Sequence, residues 1–155
     1  MYYALISSHD DSGDGCHRLF FGTLAQIGSS LLDHCSEGLL REELENGSTL
    51  DDLEENYACD FDSYHDLADS DDPSEDAVRS FDFYFSGASV RVIALTTTYA
   101  DLAHAFNTYA ADTCLGSWRM LPGNVTGPAE LACIDLALIR AGDPPAPYFE
   151  SIEEE

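Results

Sequence analysis

From Phe81 the chain alternates without a break: Phe81, Phe83 and Phe85 fall on one side, Asp82 and Tyr84 on the other. A period of two predicts a strand with one buried face. Ser86-Gly87-Ala88-Ser89 predicts a turn, and the β-branched run from Val90 to Thr97 predicts the partner strand. The N-terminus repeats the arrangement more loosely. Tyr2 to Ser7 is a short apolar run, His9 to Gly15 consists of turn formers, and Arg18 to Phe21 is mostly apolar again. A second hairpin with a long loop is expected there.

Between and after the hairpins the period lengthens. Leu24, Ile27, Leu31 and Leu32 recur at helical spacing, which predicts a helix from Thr23 to about Cys35. Ser36 can cap a second helix carrying Leu39, Leu40 and Leu44, with Asn46-Gly47 as its stop. Ser48-Thr49 can cap a third segment whose first turn holds Asp51 and Asp52, where the helix dipole favours negative charge. Leu50, Leu53 and Tyr57, then Phe61, Tyr64 and Leu67, give this acidic stretch an apolar side with which to dock. Asp71-Asp72-Pro73 interrupts it, and Ser74 caps a short helix through Arg79. Thr98 caps a helix bearing Leu102, Ala105, Phe106 and Tyr109. Cys114 to Leu121 predicts another strand, and Pro128 opens an apolar helix ending at Gly142. The fold class that follows is α+β: a small antiparallel sheet with helices packed on one face and an acidic helical middle third, about residues 36–80, on the outside. Residues 1–142 form one domain, and 143–155 an extended, proline-rich, acidic tail.

Charge changes this picture most. The chain has 155 residues with 30 acids, six arginines and no lysine, for a formal charge of -24. Fifteen carboxylates lie in the thirty-five residues from Glu42 to Asp76, where there is no lysine or arginine. From Phe83 to Ala129 the charges are Arg91, Asp101, Asp112 and Arg119, which cancel. The second half reads as scaffold and the first half carries the potential. Such a field excludes direct binding to nucleic acid or an anionic membrane and favours a basic partner. A hydrophobic fraction of 45% and an aromatic fraction of 11% place the acidity on a foldable chain. Five scattered cysteines without a C-x-x-C fit reduced thiols. The first residues lack a basic n-region and a long apolar stretch, so a cytoplasmic location is expected.

Local chemistry adds little. Asp10, Ser12 and Asp14, followed by Gly15, match the first half of an EF-hand calcium loop, but position twelve falls on Phe21 where a bidentate glutamate is needed. Cys16-His17 and His34-Cys35 match no zinc-finger spacing, and ordinary packing is the better reading. Trp118-Arg119 reads as a core tryptophan beside a surface arginine, and His104 as a packed or surface histidine. No G-x-S-x-G, Walker A loop, H-E-x-x-H or dinucleotide fingerprint is present, and a non-enzymatic protein without cofactor is expected.

In size and charge layout the chain resembles the DNA-mimic inhibitors of phages and plasmids, the anti-CRISPR and anti-restriction class. The resemblance rests on no alignable motif. It implies an inhibitor whose carboxylates replace phosphates against a basic nucleic-acid-binding protein or complex. If mostly helical, the acidic stretch would carry one carboxylate per ~3.5 Å, near the 3.4 Å phosphate spacing along a DNA strand. Charge density alone nominates Glu42, Glu43, Glu45, Asp51, Asp52, Glu54, Glu55, Asp60, Asp62, Asp66, Asp69, Asp71 and Asp72 as partner-binding residues. Two alternatives stay open: an acidic immunity or antitoxin protein, which shares the charge logic but covers a basic nuclease, and an ordinary domain from a salt-adapted cell. An exposed hairpin edge leaves room for a homodimer.

Overall fold

Both hairpins form, and they join edge to edge. In the computed structural model, residues 1–9, 15–34, 39–49, 51–52, 67, 70–85, 88–113, 118–123, 129–135 and 149–151 are described. Strands β1 (Tyr2–His9) and β2 (Gly15–Gly22) pair antiparallel, as do β3 (Asp82–Phe85) and β4 (Ala88–Thr96). β1 also pairs with β4, so the two hairpins make one sheet. A fifth strand, lying later in the chain at Ala129–Asp135, closes the order β3-β4-β1-β2-(129–135). The fold is α+β.

Over Ala129–Asp135 that fifth strand stands where the apolar helix from Pro128 to Gly142 was expected. Ala129–Asp135 adds antiparallel to β2, with Phe21 opposite Ala129 and Cys16 opposite Asp135. Periodicity cannot separate a short apolar run in a buried helix from one in a strand. Here the free edge of β2 supplied backbone partners that a solitary helix would not need. Residues 136–142 lie outside the described residues.

Helices flank both faces of the sheet, not the single face expected. Along β1 the side chains alternate: Ala4 and Ile6 join one apolar cluster, Tyr3 and Leu5 the other. The first cluster is covered by α1 (Leu24–His34) and α3 (Glu75–Ser80), through Ile27, Leu31 and Val78, with Phe83 and Val90 from the sheet and Phe81 from the link between α3 and β3. The second is covered by α4 (Tyr99–Ala111), through Tyr99, Leu102, Phe106 and Ala110. Beside α4 lies a two-stranded ribbon, β5 (Trp118–Met120) with β7 (Phe149–Ser151); the strand at Ala129–Asp135 is β6. β7 therefore docks a piece of the expected tail, and its Phe149 packs against Phe106 with ring centroids 4.9 Å apart. The remainder of 143–155 lies outside the described residues.

Local signals set the helix ends. Thr23 and Gln26 exchange hydrogen bonds in a capping box at the start of α1. Ser74 Oγ accepts from the Ala77 N–H and Thr98 Oγ1 from the Asp101 N–H, capping α3 and α4. α2 (Leu39–Glu45) ends at Gly47, whose φ of 92° lets the Ser48 N–H reach back to the Glu43 carbonyl at 3.0 Å. The proposed Ser36 cap lies outside the described residues.

Candidate functional site: an acidic side and a histidine pair

The described part of the acidic stretch lies on the α1 side of the sheet. Glu42 and Glu45 on α2 are exposed, and Glu43 is half-buried and accepts a hydrogen bond from the Ser48 hydroxyl at 2.9 Å. Asp51 and Asp52 are exposed in a helical turn that Thr49 caps. In return the Thr49 N–H donates to Asp52 Oδ2 at 2.9 Å, and these Thr49 contacts hold the Asp52 carboxyl below its ordinary range. Asp71 and Asp72 are exposed ahead of α3, as is Asp76 within it. Glu54, Glu55, Asp60, Asp62, Asp66 and Asp69 lie outside the described residues, as do Asp10, Ser12 and Asp14 of the calcium-like loop.

Apolar anchors tie this acidic stretch to the scaffold. Leu67 and Pro73 are buried, and both close on Gly28 in the middle of α1. A Cβ at Gly28 would sit 3.0 Å from Pro73 Cγ and 3.2 Å from Leu67 Cδ2, so the missing side chain is what admits them. The flanking arginines are spent internally. Arg41 pairs with Asp33 and donates to the Ser29 carbonyl at 2.9 Å, strapping α2 to α1. Arg79 pairs with Glu75 one helical turn away at 2.6 Å. Arg41 therefore neutralises none of the described carboxylates of the stretch, and Arg79 engages Glu75 at its far end.

The opposite side of the sheet holds a different chemistry. Ser7 and His17 are register partners on β1 and β2 and are the two buried polar residues among those described. His17 Nε2 lies 2.9 Å from the Tyr109 hydroxyl of α4, while its Nδ1 is buried without a partner. Burial, with a smaller effect from His9, lowers the His17 pKa from 6.5 to about 4, so the ring is neutral at physiological pH. His9 is exposed, its ring centroid 6.5 Å from that of His17. Nothing in local spacing announces this group, because Tyr109 is ninety-two residues from His17. Strand alternation alone places Ser7, His9 and His17 on one face.

The other sequence candidates separate. Cys16, next to His17 on β2, points to the α1 side, so the two do not converge on one ion. Among the described residues no group of three or more histidine, cysteine or acidic side chains could hold a metal. Trp118 is buried, Arg119 is exposed and paired with Glu150, and His104 is exposed. No helix among the described residues is long and apolar enough to cross a membrane.

No protein-family model, no curated protein and no solved structure matches the chain.

Proposed function

We propose that this protein is a non-enzymatic acidic inhibitor that mimics nucleic-acid phosphates and occupies the DNA- or RNA-binding site of a defence complex, as anti-CRISPR and anti-restriction proteins do. The observation that supports this reading is the unbalanced charge from Glu42 to Asp76. Where described, its carboxylates are largely exposed, its apolar residues are docked, and the arginines at its borders are engaged with Asp33 and Glu75. A solvated tail would not need Leu67 and Pro73 buried against α1. The target is a basic protein that normally holds phosphates, and both act in the cytoplasm. Binding is then competitive, fast and steeply salt-sensitive, since exposed ion pairs are screened within ~8 Å at physiological salt.

The test is affinity capture from bacterial lysate on the tagged chain, eluted with rising salt, followed by competition with the captured assembly's own DNA or RNA. The expected result is one basic nucleic-acid-binding assembly, displaced by its nucleic acid. The variant Asp51→Asn, Asp52→Asn, Glu54→Gln, Glu55→Gln should keep its circular dichroism spectrum and lose capture. Normal capture by that variant would remove the acidic stretch as the interface. Capture of a single nuclease, inhibited without competition by nucleic acid, would favour an immunity protein instead.

A further inference from the structure

Beneath α4 the sheet is apolar at Tyr3, Leu5 and Leu19, and changes character at one end. There β1 and β2 place Ser7 opposite His17, with His9 diagonally beyond on the same face. His17 is 3% exposed, and only one of its ring nitrogens is satisfied. A buried polar atom without a partner is costly to keep, and this one, unlike the buried Trp118 Nε1, can accept as well as donate. If Nε2–H donates to the Tyr109 oxygen, Nδ1 is left with an open lone pair. That is the arrangement of a metal-ligating histidine, whose second nitrogen is held by an outer partner that fixes the tautomer.

We propose that His9 and His17 form a two-histidine site for a divalent transition ion of the zinc type, with His17 ligating through Nδ1 and Tyr109 orienting its ring. Imidazole nitrogen selects this class over magnesium and calcium, which prefer oxygen. Two imidazoles on one tetrahedral zinc, at metal–nitrogen distances of ~2.0 Å, would have ring centroids about 5 Å apart. The observed 6.5 Å would close by a change of side-chain rotamer at His9, which is exposed. Water or an exogenous ligand completes the coordination. A net charge of -24 raises the local cation concentration. The site lies on the opposite face of the sheet from α1 and α2 and is independent of the inhibitor reading.

Calorimetric titration of the chelator-treated chain with Zn2+, in excess Mg2+ to occupy the carboxylates, tests it. The expected result is one saturable Zn2+ per chain. His9→Asn, a change at an exposed position, should weaken binding at least ~10-fold, and Tyr109→Phe by about 10-fold. In nitrogen-detected NMR of the same samples, both histidine rings should shift with zinc. The proposal is overturned if no saturable binding survives Mg2+, if His9→Asn binds like the parent, or if only the His9 ring responds.

Discussion

His17 carries a pH dependence that few other side chains here can imitate. Its folded pKa of about 4 lies below the ordinary 6.5, so the unfolded chain binds the extra proton between those values. The stability associated with neutral His17 is complete above pH 6.5 and is lost as pH falls through 4. In metal-free protein this loss should be on the order of 2 kcal/mol. Asp52, whose carboxyl Thr49 also holds low, loses stability in the same direction on acidification, and the net charge of -24 adds a background common to both proteins. The measurement is therefore a difference: urea stability from pH 7 to 4 for the parent and for His17→Gln, with the parent losing more. Asp52 offers a smaller residue-scale check. Thr49→Ala removes the hydroxyl contact and should move the Asp52 carboxyl back up towards 3.8, as an NMR titration would show. The Thr49 cap was legible in the sequence because its partners lie three residues away. The His17–Tyr109 contact was not, because it exists only once α4 has packed on the sheet.

Elements were legible wherever one chain segment carried the whole signal. Capping residues and apolar spacing place α1, α3 and α4, and alternation in Phe81–Phe85 places β3. The β6 strand failed for a physical reason: Leu131, Cys133 and Ile134 suit either period, and the free edge of β2 decided between them. The two-sided packing was hidden similarly. Tyr3 and Leu5 against Ala4 and Ile6 make β1 apolar on both faces, a pattern that a short strand shares with any buried run. The docking of the acidic stretch gives an element-scale prediction. Gly28→Leu places side-chain atoms where Pro73 and Leu67 already sit, so overpacking should cost about 1–3 kcal/mol in urea denaturation. Protease cleavage between residues 42 and 76 should accelerate in that variant more than cleavage in the β1–β2 hairpin. Equal acceleration would mean that the acidic stretch does not rely on Gly28 for its seat.

At the scale of the whole molecule, charge gives stability and binding opposite responses to salt. The folded chain concentrates a net charge of -24, and Arg41, Arg79 and Arg119 are already committed to Asp33, Glu75 and Glu150. Self-repulsion therefore opposes folding, and screening relieves it as the Debye length falls from ~30 Å at 0.01 M salt to ~10 Å at 0.1 M. Two continuous apolar clusters on either side of the sheet hold against this repulsion. The urea midpoint should rise steadily with sodium chloride, yet a cooperative transition should persist at the lowest salt. Urea is the right denaturant, since guanidinium chloride would itself screen the charges. Over the same range the affinity for a basic partner should fall by orders of magnitude, because each exposed ion pair weakens together with the others. A phosphate mimic must show both trends and remain folded where its binding is strongest. A chain whose acidity serves only to hold water in concentrated brine would instead lose its transition at low salt, and that outcome would withdraw the inhibitor reading.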